Sequence, residues 1–172
     1  MQKLSLVVFI GSTILAFVHI WLWQPHLPEQ IPTHFGAEGD PDAWADQSIA
    51  IWIHLVIHLV NLFLFLGITF ALPRIPDSLV NIPHKEHWLS AELRSSTHAI
   101  NATALLFIAT LTTWLTVALF ELTARVSIEQ RESISPEFWI VLLVYGAGVI
   151  GVCGLLFRHF QKLPDANVES LA

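Results

Sequence analysis

Charged side chains are scarce in this chain, which excludes an ordinary soluble globular domain. Asp, Glu, Lys and Arg make up 13% of the 172 residues, whereas 54% are hydrophobic and the mean hydropathy is +0.62. A typical soluble domain carries about 25% charged residues. So few charges leave too little polar surface for water to solvate, and the sequence therefore predicts that lipid surrounds much of the chain.

Other absences narrow the function classes. The single cysteine, Cys153, allows no intramolecular disulfide and no CxxC metal or redox motif. Neither a GxSxG motif nor a phosphate-binding glycine loop occurs, and Leu55 follows His54, so the HExxH motif of metalloproteases is absent too. The sequence also lacks the cluster of Lys and Arg that would indicate a nucleic-acid partner. The sequence favours a role without catalysis, although it leaves the question of enzymatic activity open.

Proline is missing from four long apolar runs, and these runs predict four transmembrane helices. A helix of about 20 residues crosses the roughly 30 Å of membrane hydrocarbon. The predicted spans are Leu4–Trp23, Ser48–Leu72, His98–Leu122 and Phe138–Phe157. The predicted fold is therefore all-α, a four-helix transmembrane bundle. We divide it into residues 1–97, with two spans and two loops, and residues 98–172, with two further spans and a short tail in the same bundle.

Lys and Arg are also missing from the first loop, residues 24–47, and this absence orients the bundle. Six of the eight basic residues lie at the N-terminus, in the middle loop 73–97 and in the tail, and two lie in the third loop. Basic residues concentrate on the cytoplasmic side of membrane proteins. The pattern predicts that both termini and the middle loop are cytoplasmic, and that residues 24–47 form an outer loop.

The composition of the outer loop predicts a defined turn structure instead of a flexible linker. Its prolines restrict the backbone, while Gly36 and Gly39 permit positive φ angles. The middle loop contains NIPHKEHWLSAELR, from Asn81 to Arg94, in which a proline turn leads into a short amphipathic stretch. Both loops therefore carry more local order than connecting segments need.

Two loop patterns give the chain a resemblance to a known family. The outer-loop pattern IPTHFG followed by G.PD, together with NIPHKEHWL, resembles the domain of unknown function 1648 of bacterial membrane proteins, over roughly Leu6 to Glu92. Gln47 stands where that pattern leads us to expect a basic residue. The resemblance implies a bacterial inner membrane location and a likeness to the N-terminal part of SdpI-like immunity proteins, which protect against a secreted peptide toxin. It implies partner-binding roles for the motif residues Pro32, His34, Phe35, Gly39, Asp42, Asn81, Lys85 and Trp88.

Histidines form the second group of candidate functional residues. His54 and His58 share one face of the second span because they are four residues apart, and Asn61 continues that stripe. Ionisable groups inside a membrane usually face the bundle interior or a water-filled cavity. Three interpretations are open: hydrogen bonds between helices, a proton-responsive switch, or a metal site. We expect no cofactor; the alternative is zinc or copper, which imidazole suits, held by His34, His54, His58 and His19.

The last two spans carry features that we interpret structurally. Gly148, Gly151 and Gly154 predict a helix-packing face, within the chain or between copies of it, because small residues let helix backbones approach. Glu121, at the outer boundary of the third span, is expected to be solvated.

Three functions follow from these patterns. We favour a non-enzymatic protein that recognises a peptide or a membrane-protein partner through the outer loop. The alternatives are a histidine-based metal- or proton-handling protein and a structural accessory subunit of a membrane complex. In all three the protein contacts the lipid bilayer, and in none does it bind nucleic acid. Each of the three is compatible with an oligomer.

Overall fold

Four long helices dominate the fold. A computed structural model describes residues 1–133 and 136–163. The elements follow in the order α1 (Gln2–Trp23), β1 (Gln30–Phe35), β2 (Pro41–Asp46), α2 (Gln47–Ala71), α3 (Lys85–Trp88), α4 (Arg94–Ile128) and α5 (Glu137–Gln161). Four of these helices, all except α3, are long and apolar enough to cross a membrane. The four predicted spans are therefore confirmed, and the chain is a multi-pass membrane protein; the predicted tail beyond residue 163 lies outside the described residues.

The central helix of the bundle is α4. It packs against α1, α2 and α5, whereas α1 and α2 make fewer contacts with each other. Near its middle, Leu106 and Ala109 pack with Phe9 of α1 in a fully buried apolar cluster. Its 35 residues rise about 52 Å, well beyond the hydrocarbon thickness. The helix is longer than the predicted span, and its last turns extend to pack against residues of the first loop.

The last helix, α5, lies at the periphery of the bundle against α4. Tyr145 hydrogen-bonds with Thr112 of α4 at 3.2 Å, and a Cβ atom added to Gly148 would lie 3.1 Å from the Leu111 side chain. Gly151 and Gly154 face open space, with nothing within 4 Å of an added Cβ. Within the described part of the chain, the predicted packing face is therefore used at Gly148 alone.

The bundle end that carries the N-terminus, here called the terminal end, is closed by the middle loop. The indole nitrogen of Trp88 donates a hydrogen bond to the carbonyl of Phe160 at 2.8 Å. The hydroxyl of Thr97 donates to the carbonyl of Trp88 at 2.7 Å, and Leu89 is buried beside them. The predicted amphipathic stretch thus contains the short helix α3 and holds the end of α5 against the start of α4.

The first loop adds β structure at the opposite end, here called the hairpin end. Strands β1 and β2 pair antiparallel, with Gln30 opposite Asp46 and Ile31 opposite Ala45. The prediction of an all-α fold is wrong for these residues. Sequence reasoning disfavours strands here because Pro32 and Pro41 have no N–H to donate. A two-stranded hairpin accommodates them, since each of its strands has an edge that needs no partner.

Candidate functional site

The hairpin is fixed to the bundle through an apolar base. Ile31 of β1 is 2% exposed and packs, with Leu27, into a buried cluster. The bundle contributes Ile20 of α1, Ala50 of α2, and Phe120 and Ala124 of α4 to the same cluster. Burying a large aliphatic side chain stabilises a fold by roughly 1.5–3 kcal/mol. The base therefore holds the hairpin on three helices instead of leaving it as a mobile loop.

Gln47 closes the base of the hairpin with three hydrogen bonds. Its backbone N–H donates to the carbonyl of Glu29 at 2.8 Å. Its side-chain amide donates to the carbonyls of Gln24 and Leu27 at 3.0 and 2.8 Å. From the sequence, Gln47 was noted only as a departure from an expected basic residue, and this role was missed. The available signal was its position immediately before the second predicted span. A glutamine amide suits this position because it donates two hydrogen bonds without burying a charge.

Two irregularities in the strand pairing shape the outer part of the hairpin. The register skips Thr33 on one strand and Asp42 on the other. Such bulges re-aim side chains near functional sites. Here the Asp42 carboxylate meets Nδ1 of His34 at 2.5 Å, in a pair that is largely exposed. The two motif residues thus form one polar unit on the surface of the hairpin.

The tip of the hairpin is a tight turn that faces the start of α5. The backbone N–H of Gly36 donates to the carbonyl of Asp40 at 2.8 Å, and Gly39 has φ 88°, which favours glycine. A cleft of about 400 Å³ lies between the tip and the aromatic side chains of Phe138 and Trp139. Its walls are therefore aromatic on the helix side and partly acidic on the hairpin side, where Glu38 lies.

The predicted partner-binding residues separate into two groups. Those of the first loop share the hairpin, where Pro32 is buried in the base while His34 and Asp42 are exposed. Those of the middle loop lie beyond the C-terminal end of α2, at the terminal end: Asn81, Lys85 and Trp88. The 25 residues of α2 separate the groups, so the structure does not bring them into one site.

A second polar cluster lies just below the hairpin. Nε2 of His19 lies 3.0 Å from the Glu121 carboxylate, which also accepts two hydrogen bonds from Arg125, at 2.9 and 2.8 Å. The indole nitrogen of Trp23 donates to the same His19 Nε2 at 3.0 Å. The side chain of Glu121 is only 24% exposed. The expectation that Glu121 is solvated is therefore wrong, because two basic side chains hold it against the bundle.

The contacts of His19 compete for one ring nitrogen. Nε2 accepts the Trp23 hydrogen bond only when it carries no proton, and it donates to Glu121 only when it does. Within the described residues, the buried Nδ1 of His19 has no hydrogen-bond partner. Moving a proton onto Nε2 would therefore exchange one interaction for the other.

The histidines of α2 continue this cluster towards the middle of the bundle. His54 packs edge-on against Phe120, with the two ring centroids 4.7 Å apart. Nδ1 of His58 lies 3.3 Å from the hydroxyl oxygen of Thr116. Asn61, one turn further along, donates to the carbonyl of Ala109 at 3.2 Å and to the hydroxyl of Thr113 at 3.0 Å. The interpretation of this stripe as hydrogen bonds between helices holds for His58 and Asn61.

The structure does not gather the four histidines proposed as metal ligands. His34 is paired with Asp42 on the hairpin, whereas His54 and His58 lie inside the bundle. Across residues 1–133 and 136–163, no group of three or more His, Cys, Asp or Glu side chains is placed to hold one metal ion. Zinc or copper binding stays a prediction, and this geometry gives it no support.

A protein-family model matches part of the chain. Residues 11–58 match the model of the family described as Domain of unknown function (DUF1648). The predicted resemblance to this family is confirmed over the second half of α1, the hairpin and the first half of α2, and the NIPHKEHWL segment lies outside the match. Comparison with curated proteins and with solved structures gave no match.

Proposed function

Because residues 11–58 carry a domain whose description assigns no activity, we propose a function from the geometry of the hairpin. The protein recognises a positively charged peptide, or a positively charged segment of another membrane protein, at the outer face of a bacterial cytoplasmic membrane. The observation that carries the proposal is the hairpin itself, which is fixed at its base and exposed at its tip beside an aromatic cleft.

The charge of the hairpin favours a basic partner. Residues 24–47 contain five acidic side chains and no Lys or Arg, and all five acids are exposed. Complementary charge steers a partner into an interface and sets its specificity. Phe138 and Trp139 add aromatic contact area, which supplies much of the binding energy in protein interfaces. The partner should therefore combine Lys or Arg with apolar side chains.

The rigidity of the hairpin favours binding over a spacer role. A flexible loop loses conformational entropy when it is ordered on binding, whereas a fixed hairpin has already lost it in folding. The buried base and the three Gln47 hydrogen bonds supply this order. The distribution of Lys and Arg supports an outward orientation of the hairpin end.

A defined probe tests the proposal in the intact protein. The protein is placed in nanodiscs of phosphatidylcholine, and binding is measured for a synthetic peptide of Leu and Lys and for its counterpart of Leu and Glu. We expect the basic peptide to bind and the acidic peptide not to bind. Replacing Glu38, Asp40 and Asp42 by their amides should weaken binding about tenfold or more, because each removes a charge beside the cleft.

The matched control removes three acidic charges at the same bundle end from residues that do not line the cleft, at Glu29, Glu129 and Glu132. If this control weakens binding as much as the tip variant, the hairpin tip is not the recognition site. A photo-crosslinking residue at position 37 then tests the site in native membranes. It should give a discrete crosslinked species that the tip variant loses; a species that survives in that variant would argue against the proposal.

A second candidate function rests on the shared nitrogen of His19. Protonation of the ring would favour the ion pair with Glu121 and break the hydrogen bond from Trp23. The cluster would then respond to the proton concentration on the hairpin side. Comparing the tryptophan fluorescence of the protein and its Trp23→Phe variant isolates the Trp23 signal. That signal should change with pH, and it should stay constant in a His19→Gln variant; a constant signal in the unmodified protein would eliminate this candidate.

A further inference from the structure

A separate polar cavity lies at the terminal end of the bundle. It has a volume of about 370 Å³ and lies between the N-terminus, the end of α2 and the first turns of α4. Its polar lining comes from Gln2, Thr69, Arg94, Ser95 and His98. The full length of α2 separates it from the hairpin, so it is distinct from the proposed recognition site.

The cavity leaves buried polar groups without partners. His98 is 6% exposed and Thr69 is 4% exposed. In the part of the chain that the structure describes, neither ring nitrogen of His98 has a hydrogen-bond partner, and the Thr69 hydroxyl has none either. Native proteins rarely leave such groups unsatisfied. Their partners must therefore come from an occupant of the cavity.

The charge and the dipoles around the cavity favour an anion. Nη1 of Arg94 lies 2.6 and 2.7 Å from the two carboxylate oxygens of Asp77, which leaves other N–H donors of the guanidinium for a ligand. Arg94 and Ser95 also form the first turn of α4, where the helix dipole favours negative charge. The hydroxyls of Ser95 and Thr69, the amide of Gln2 and a ring N–H of His98 add neutral donors.

We propose that the terminal-end cavity binds a phosphate group through Arg94, Thr69 and His98, with Ser95 at its mouth. The phosphate belongs either to free inorganic phosphate or to the headgroup of an anionic lipid, since the cavity lies at the end of the membrane-spanning helices. Asp77 competes with the ligand for the guanidinium and so limits the affinity. Neither this site nor its ligand depends on the function proposed for the hairpin.

The ion pair provides variants with opposite expected effects. Arg94→Gln removes the main cationic contact and should weaken phosphate binding about tenfold or more. Asp77→Asn removes the competing charge and should strengthen binding. If the pair were only structural, both variants would weaken binding. Thr69→Val removes one donor and should weaken binding several-fold.

The matched control is Arg74→Gln. Arg74 lies at the same bundle end, but its guanidinium is exposed and donates to the carbonyl of Phe70, and it does not line the cavity. The control removes an equal charge nearby, and it should leave binding unchanged.

Two probes distinguish the sources of the phosphate. In the first, inorganic phosphate is titrated calorimetrically into delipidated protein in detergent. In the second, the protein is reconstituted into nanodiscs of phosphatidylcholine with phosphatidic acid, and the lipid that it retains is measured by native mass spectrometry. Saturable phosphate binding identifies the free anion as the ligand, and selective retention of phosphatidic acid identifies the lipid headgroup. In either case the proposal also requires that Arg94→Gln weakens binding and that Asp77→Asn strengthens it. Three results would overturn the proposal and leave water as the occupant: neither probe binds, Arg74→Gln weakens binding as much as Arg94→Gln, or Asp77→Asn weakens binding.

Discussion

Asn61 shows how a single side chain joins two helices inside the membrane. Both hydrogens of its amide are used, one on the carbonyl of Ala109 and one on the hydroxyl of Thr113. That carbonyl also accepts a hydrogen bond from the Thr113 hydroxyl, so the three residues form a closed group. Lipid offers no replacement donors or acceptors, and the arrangement therefore fixes the register of α2 against α4.

Replacing Asn61 by Leu should destabilise the protein by roughly 1–2 kcal/mol, because hydrogen bonds between membrane helices contribute about 0.6 kcal/mol on average and up to about 2 kcal/mol. The measurement is the free energy of unfolding in mixed micelles, followed by circular dichroism. Thr110→Val is the control, since the Thr110 hydroxyl donates only within its own helix, to Leu106. Equal losses in the two variants would show that the link between helices adds nothing.

At the scale of elements, the hairpin depends on one backbone conformation. Gly39 has φ 88°, a region that costs other residues about 1–2 kcal/mol. Gly39→Ala should therefore destabilise the hairpin locally by about that amount without unfolding the bundle.

Hydrogen exchange measures this effect. In Gly39→Ala, the amides of β1 and β2 should exchange about tenfold faster while those of α4 are unchanged. Gly11→Ala is the control, since an added Cβ there meets nothing within 4 Å and α1 is helical at that position. Unchanged exchange in the hairpin of Gly39→Ala would show that the turn tolerates a side chain.

The elements also show which features were readable from the sequence. The four membrane helices were predictable because apolar run length is a direct physical requirement of the bilayer. The hairpin was not, because Pro32 and Pro41 contradict ordinary strand patterns. The extension of α4 past Leu122 was missed for a similar reason, since polar residues such as Thr123 and Arg125 end the apolar run although the helix continues.

The candidate sites were only partly readable. The motif identified His34 and Asp42 but gave no information on their contact, which depends on two bulges in the strand pairing. The pairing of His19 with Glu121 joins residues 102 positions apart. Such a contact follows from helix packing, and a single sequence contains no direct record of how helices pack. The cavity around His98 was missed for the same reason.

At the scale of the whole molecule, α5 is held by α4 along one face and is open along another. Gly148 lies against Leu111, whereas Gly151 has no neighbour within 4 Å of an added Cβ. Gly148→Leu should therefore destabilise the packing of α5 on α4 by about 1–3 kcal/mol through overpacking, and Gly151→Leu should have little effect on the monomer.

Unfolding of the two variants in detergent gives the comparison, with a size measurement of each in nanodiscs. If Gly151→Leu leaves the unfolding free energy unchanged but alters the oligomeric state, the open face is a contact between copies or with another subunit. A loss of monomer stability as large as that of Gly148→Leu would contradict the structure at this helix.

The central position of α4 has a consequence for synthesis at the membrane. The ribosome delivers α1 and α2 first, and at that time His19, His58 and Asn61 have none of the partners that α4 supplies. At about 5–20 residues per second, the chain from residue 72 to residue 128 takes about 3–11 seconds to make. For that interval these polar groups lie in α1 and α2 without the partners that α4 supplies, so the rate of translation sets how soon the bundle can satisfy them.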